Sequence, residues 1–431
     1  MSISTPIHDF LKAYCVESPI RCHMPGGKEN PLDITEIDGA DSLYESSGII
    51  RSSEETASAL FGSAKTLYSC GGSTLAIQTM LAAAKAAYPD KTRVAASRYC
   101  HRSLISACAL LGLEVDWIMP QAFLSCNITA KEAEEKLTDK TLCLFAQSID
   151  YYGGECDIEE LSRLCKAKKL PLLVDNAHGA YHVFTGRHPL KQGADMTADS
   201  AHKTLPCLTG GAYLHISKNA PKAFSERAKE LMALFGSSSP SYLILDSLDL
   251  CNRHIAEEKE RAEQVLYRVG KLKESLINAG YRLRKSDPMR ITLDACNYGY
   301  SGAQLSSLLR EKAVSAELAD SRYVVLLFST GQSLSDFPRI LEAAKKIPKM
   351  PEKESGEPVF SLPPAVLSPR EALFSPSEEI PLREAEGRIC ASVSCPCPPC
   401  VPIVMTGERF TASAVELMKL YGVEKVRAVC S

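Results

Sequence analysis

Between about residues 64 and 217 the chain alternates stretches of helical period with short apolar runs. Residues 73–88 (STLAIQTMLAAAKAAY) are rich in alanine, with apolar positions at helical spacing, and predict a helix. Runs at 93–97, 114–118, 142–146 and 170–174 predict buried strands, with helical periodicity over 103–111 and 157–169 between them. Strands that alternate with helices and are apolar throughout predict an α/β fold whose mostly parallel sheet is covered on both faces.

The pattern changes after residue 242. Residues 243–279 form one long charged stretch of helical period, suited to a helix that leaves a large domain and enters a smaller one. Apolar runs at 290–293 and 323–328, separated by a helical segment at 302–312, predict a small α/β domain. Residues 347–369 are dense in proline and charge and read as a linker. The resulting division is an N-terminal arm (1–20), a large domain (21–245), a small domain (246–346), the linker, and a closing module (370–431). No internal repeat is visible.

Composition adds limits. At 431 residues the chain exceeds one ordinary core. Its 45% hydrophobic and 23% charged residues are those of a globular protein. A net charge of −3 gives no electrostatic case for nucleic acid or an anionic membrane. No apolar run reaches the roughly 18–20 residues that span a bilayer. The first residues lack the basic flank and apolar stretch of a signal peptide, so a cytoplasmic location is expected. The 17 cysteines are spread through predicted strands and helices, where reduced thiols serve as small buried apolar groups. Cys395, Cys397 and Cys400 fall within six residues, but a metal site usually takes four ligands and prolines stiffen this segment, so no metal is expected.

Three features carry candidate chemistry. Gly71-Gly72-Ser73-Thr74 opens the alanine-rich helix; glycine lets a backbone approach an anion, and Ser73 and Thr74 can cap the helix or donate to a phosphate. The same turn also serves purely structural ends. Asp175 closes the run 170–174 and so projects from the carboxyl edge of a buried strand, where ligands of open α/β sheets collect. Capping the next turn is the alternative role. Lys203 lies among Ser200, His202 and Thr204 and is followed by an uncharged run to 216. A single lysine is usually a solvated charge; desolvation here would favour the neutral, nucleophilic amine. A lysine amine, a carboxylate for a pyridine nitrogen and a phosphate-binding helix start are together what pyridoxal 5'-phosphate requires.

These residues resemble the fold-type I ornithine/lysine/arginine decarboxylases in their compact form, without the N-terminal regulatory domain. The segment 200–204 (SAHKT) is similar to the family's lysine motif, which implies Lys203 as the Schiff-base residue with Ser200 and His202 near the phosphate. The segment 174–180 (VDNAHGA) resembles Val-Asp-Glu-Ala-His-Gly-Ala, implying Asp175 as partner of the pyridine nitrogen and His178 beside the ring. The segment 98–103 (RYCHRS) resembles the one whose histidine, here His101, stacks on that ring, and Gly72-Ser73-Thr74 matches the phosphate loop. Further similar segments are 23–26 (HMPG), 239–242 (SPSY), 287–290 (DPMR), 299–302 (GYSG) and 396–402 (PCPPCVP) with Gly407-Glu408. They run in one order from about residue 20 to 425. Cys397 and Cys400 then stand where the family has tyrosine and glycine in a proline turn.

The resemblance implies a fold-type I large domain, a smaller α/β domain and a C-terminal α+β decarboxylase-type module. It implies decarboxylation of lysine, arginine or ornithine to a diamine or polyamine precursor, with Lys203, Asp175, His101, His178 and His202 as catalytic residues. A homodimer or higher homo-oligomer is also implied, in which Ser239, Tyr242 and Glu408 approach the substrate in the neighbouring subunit's site. Four positions depart from the pattern. Gly27 replaces a histidine, Ile149 a proline and Asn176 a glutamate, and Tyr181 stands where histidine is usual. The cofactor ligands survive these changes, so a different pyridoxal-phosphate reaction and a non-catalytic cofactor-binding relative remain the alternatives. The Cα proton donor is left between His202 and Lys203.

Overall fold

A computed structural model describes residues 3–354, 360–393 and 402–430; Cys395, Cys397 and Cys400 lie outside the described residues. Seven strands build the main sheet: β1 (Lys65–Ser69), β2 (Arg93–Ser97), β3 (Glu114–Ile118), β4 (Thr141–Gln147), β5 (Leu172–Asp175), β6 (Met196–Asp199) and β7 (Ala212–Ile216). Their order is β1-β7-β6-β5-β4-β2-β3. β2 through β6 pair in parallel, and β7 runs antiparallel to both of its neighbours. Every residue of β4 and β7 is buried, which is why such strands read as continuous apolar runs.

The alanine-rich helix spans Gly72–Ala87. Ala76, Ala83 and Ala84 are buried with Leu75, Ile77, Met80 and Leu81 against Leu67, Val94 and Leu214 of the sheet. Small side chains let the helix lie close to the strands while the leucines and methionine fill the gaps. The predicted helices over 103–111 and 157–169 form as Arg102–Leu111 and Ile158–Lys168. The latter starts on an Asp157 side chain that accepts from Glu160 N–H.

Two elements differ from the sequence reading. Residues 194–199 carry no apolar run and are not among the predicted strands, yet 196–199 form β6, with Thr197 and Asp199 fully buried. Pairing with β5 and β7 satisfies that backbone, so polar side chains did not prevent a central strand. The long helix expected over 243–279 is two helices, Tyr242–Glu257 and Lys259–Asn278, because Glu258 departs from helical geometry (φ −110°, ψ 29°).

The second sheet is antiparallel, ordered β10-β11-β9-β8, from β8 (Leu283–Arg284), β9 (Arg290–Asp294), β10 (Leu318–Ala319) and β11 (Tyr323–Leu327). Ile291, Leu293, Val324 and Leu326 pack on Val265, Val269, Leu272 and Leu276 of the helix Lys259–Asn278. Near the C-terminus, β12 (Ser377–Pro381) pairs antiparallel with β13 (Lys425–Val429) and shares a core with the helix Ala412–Leu420. Among the described residues no helix is long and apolar enough to cross a membrane.

Candidate active site

The carboxyl ends of the parallel strands meet along one edge, and the chemistry-bearing residues follow them. Gly72 comes after β1, His101 after β2, Asp175 ends β5, and Ser200 and Lys203 come after β6. Open α/β sheets place ligands at this edge because loops and helix starts converge there.

Lys203 Nζ lies 3.1 Å from His178 Nε2 and 5.5 Å from the centre of the Tyr151 ring. On its other side, His178 Nδ1 receives a hydrogen bond from Arg290 Nη2. Arg290 is buried and donates through Nη1 to Asp287 Oδ2 at 2.6 Å. Asp287 Oδ1 accepts from the Tyr181 hydroxyl at 2.9 Å. A buried chain therefore runs Tyr181–Asp287–Arg290–His178–Lys203, with two of its members contributed by the second sheet's segment. Burial, then Lys203 and Arg290, drive His178 well below the ordinary histidine range, so its ring is neutral. A guanidinium only donates, hence Nδ1 is an acceptor and the single ring proton sits on Nε2, toward Lys203.

Asp175 is fully buried, and its Oδ1 accepts from Ala177 N–H at 3.0 Å. Burial pushes it up to about 6, opposed by that hydrogen bond and by Lys203 and reinforced by Asp199. A carboxylate raised in this way is disfavoured as an anion by its burial and would be stabilised by a cationic partner. His101 is the N-cap of the helix Arg102–Leu111: its Nδ1 lies 2.9 Å from Ser103 Oγ and accepts from Ser103 N–H. Burial, then Lys203, push it down to about 4, which leaves a neutral ring able to lie against another.

Two loops meet at the start of the helix Gly72–Ala87. Ser200 Oγ donates to Ser73 Oγ at 2.9 Å, joining the loop after β6 to the start of the helix Gly72–Ala87. Gly72 has φ +66°, which favours glycine, and a Cβ built there would meet nothing within 4 Å, so the helix start faces open space. Thr74 lies half-buried in the first turn. His202, half-buried and lowered by burial, donates Nδ1–H to the Gly211 carbonyl at 3.1 Å, which leaves Nε2 as its acceptor. Paired hydroxyls at an open helix start, a buried carboxylate and an amine on a neutral histidine fit pyridoxal 5'-phosphate.

The residues expected to approach a neighbouring subunit's site have these surroundings in their own chain. Ser239 is exposed, and Tyr242 is buried at a helix start with its hydroxyl donating to the Asp41 carbonyl at 2.6 Å. Glu408 is buried within its own chain: Arg98 Nη1 and Nη2 reach its two oxygens at 2.5 and 2.8 Å. Of the departures, Tyr181 is tied to Asp287, while Asn176 Nδ2 donates to Asp199 Oδ2 at 2.6 Å. Ile149 is buried in the core shared with the second sheet, and Gly27 is exposed. The sequence reading missed Arg290, Asp287 and Tyr151 as site residues. Arg290 and Asp287 sit inside a segment already matched to the family, and nothing but the fold shows that they face His178.

Comparison with known proteins gives the family. Residues 12–297 match the Orn/Lys/Arg decarboxylase major domain, and residues 356–424 match the Orn/Lys/Arg decarboxylase C-terminal domain. The chain belongs to the Orn/Lys/Arg decarboxylase family: it is an amino acid decarboxylase, a carboxy-lyase that uses pyridoxal phosphate. Among relatives, it is 31% identical to the uncharacterized protein YaaO of Bacillus subtilis, over 96% of this chain and 93% of that protein. It is 28% identical to arginine decarboxylase of Bacillus subtilis, over 94% of this chain and 91% of that enzyme. In fold it is similar to lysine decarboxylase A from Pseudomonas aeruginosa, with a TM-score of 0.81 at 16% identity, covering 99% of this chain and 80% of that one. The constitutive lysine decarboxylase of E. coli gives 0.79 at 16% identity, with 99% and 82% covered.

Proposed function

We propose that the protein decarboxylates a basic amino acid (lysine, arginine or ornithine) to a diamine or polyamine precursor. The observation that carries this reading is the meeting of Lys203, Asp175, His178, His101 and the Ser73–Ser200 pair at one sheet edge. Lys203 would hold the cofactor and Asp175 its pyridine nitrogen; Gly72, Ser73, Thr74, Ser200 and His202 would line its phosphate end. Bound pyridoxal phosphate supplies a sink for the electron pair left when carbon dioxide departs.

The protein's own groups do the rest. His178, fixed by Arg290 with its proton on Nε2, presents a donor toward Lys203 Nζ. His202 in its neutral form offers a lone pair at Nε2 and no proton there, which makes Lys203 our choice of donor to Cα. His101 would fix the plane of the ring. The reading extends to a cytoplasmic homodimer in which the exposed Ser239 faces a second copy.

The test is product profiling by mass spectrometry with lysine, arginine, ornithine and unrelated amino acids. An amine with matching carbon dioxide from one basic amino acid supports the proposal. Keto acid or elimination products would instead assign a different reaction on the same cofactor. Protein that gains no visible cofactor absorption with pyridoxal phosphate, or keeps it in Lys203→Ala, overturns the site.

A further inference from the structure

Behind the cofactor edge, the central strands enclose a second cluster that the decarboxylation reading does not use. His188 follows β5, Asp199 ends β6, and His215 lies on β7, cross-strand from Thr197. All three are buried, at 1%, 0% and 0% exposure. One ligand-type atom from each lies within 4.8 Å of the other two.

The hydrogen bonds within this cluster are incomplete. His188 Nε2 meets Asp199 Oδ2 at 2.8 Å, and Asn176 Nδ2 donates to the same oxygen at 2.6 Å. His215 uses Nδ1 on Thr66 Oγ1 at 2.8 Å. His215 Nε2 and Asp199 Oδ1 are buried without a hydrogen-bond partner. Leaving such atoms unmet is destabilising, and more so for a charged group. Asp199 is also a buried carboxylate that, among the described residues, meets a histidine ring and no lysine or arginine. With Nδ1 engaged by Thr66 Oγ1, Nε2 is the His215 nitrogen left to ligate. Two imidazoles and one carboxylate around an unmet nitrogen form a donor set suited to zinc and its neighbours in the transition series.

We propose that His188, Asp199 and His215 form a buried binding site for a divalent transition metal, with zinc(II) the matching ion. His188 Nε2, Asp199 and His215 Nε2 supply three ligands, and a water completes a four-coordinate shell. Coordination through His188 Nε2 needs Nδ1 to carry the ring proton, at the expense of a long 3.3 Å hydrogen bond from Leu190 N–H. The ion neutralises Asp199, whose charge otherwise opposes that of Asp175 at the adjacent strand end. The sequence alone gave no such hint, because the three ligands are 11 and 16 residues apart on separate elements. The inference does not depend on which amino acid is decarboxylated.

The experiment is metal analysis of untagged, full-length holoprotein, produced with added zinc and passed through gel filtration. One equivalent of zinc per chain is expected, lost in His215→Asn and in Asp199→Asn, and retained when Cys395, Cys397 and Cys400 are all changed to serine. Cobalt(II) loading of the unaltered protein gives a reading that does not rely on a variant folding. Visible cobalt bands without an intense thiolate charge-transfer band in the near ultraviolet support nitrogen and oxygen ligands. Protein with no zinc above background overturns the proposal and leaves an internal water as the partner of His215 Nε2. Zinc that disappears with the cysteines but survives Asp199→Asn overturns it as well.

Discussion

Glu408→Gln separates two roles for one residue. The family resemblance places Glu408 near substrate, whereas its carboxylate is 2% exposed and held by an equally buried Arg98. Among the described residues the partners of Arg98 lie here: Nε donates to the Pro402 carbonyl at 3.2 Å, Nη2 to the Ile403 carbonyl at 3.0 Å, and both Nη groups to Glu408. Its guanidinium also lies 5.1 Å from the centre of the Trp117 ring. Removing one partner of a buried pair leaves an uncompensated charge and costs about 3–5 kcal/mol. At about 1.4 kcal/mol per decade, that is a 10²- to 10⁴-fold shift in the opening equilibrium of this contact. The pair joins the end of β2 to the segment before the helix Ala412–Leu420, so opening should expose the β12–β13 core first. Hydrogen exchange of the Lys425–Val429 amides should accelerate in Glu408→Gln, while those of β4 should not. Arg98→Met with Glu408→Leu should recover part of the loss, since an apolar pair avoids the stranded charge. If Glu408→Gln leaves exchange unchanged and instead raises KM for the amino acid, the structural reading is wrong and Glu408 acts on substrate.

Three further outcomes follow from the site. In cofactor-free protein Asp175 is raised to about 6 from an ordinary value of 3.8, so the folded state holds its proton more tightly than the unfolded chain. Stability then falls as pH rises through about 4 to 6, by about 3 kcal/mol in total for a shift near two units. Asp175→Asn should therefore raise the apoprotein's Tm at pH 7, not at pH 4, while weakening cofactor binding; an equal gain at both pH values contradicts this. Asn176→Glu restores the family's residue but sets a second carboxylate against Asp199 Oδ2, so urea unfolding should show a loss that Asp199→Asn relieves, with a coupling of about 0.5–3 kcal/mol. Additive effects would refute the clash. Arg290→Lys keeps a charge beside Asp287 but loses the fork that reaches His178, and should move the pH midpoint of the cofactor's visible band more than Tyr181→Phe does; an unmoved midpoint removes Arg290 from the site.

Much of the large sheet was legible because its strands are buried on both faces and its helices are periodic. β2 to β5 and the helix Gly72–Ala87 announce themselves by apolar runs and alanine content. β6 does not: Thr197 and Asp199 make it polar, and only pairing on both sides shows it to be central. The break at Glu258 leaves the apolar rhythm on either side intact, so periodicity passes straight across it. Within the site, short motifs pointed to the cofactor residues one at a time. What they do not encode is which distant side chain satisfies which, and Arg98 with Glu408, or Arg290 with His178, are 310 and 112 residues apart.

The buried chain from Tyr181 to Lys203 changes how the departure at Tyr181 is read. Tyr181 follows the motif of Asp175 and His178, yet its hydroxyl holds Asp287, and Asp287 orients Arg290. Asp287 and Arg290 belong to the segment that opens the second sheet, so the protonation pattern facing Lys203 is set partly from outside the main sheet. Any movement that withdraws β9 from the main sheet also frees His178 Nδ1. The ring can then exchange tautomers and accept from Lys203 rather than donate to it. The Asp287–Arg290 segment and Lys203 are thus joined through one imidazole, and Tyr181 enters the site through its hydroxyl on Asp287, two contacts removed from His178.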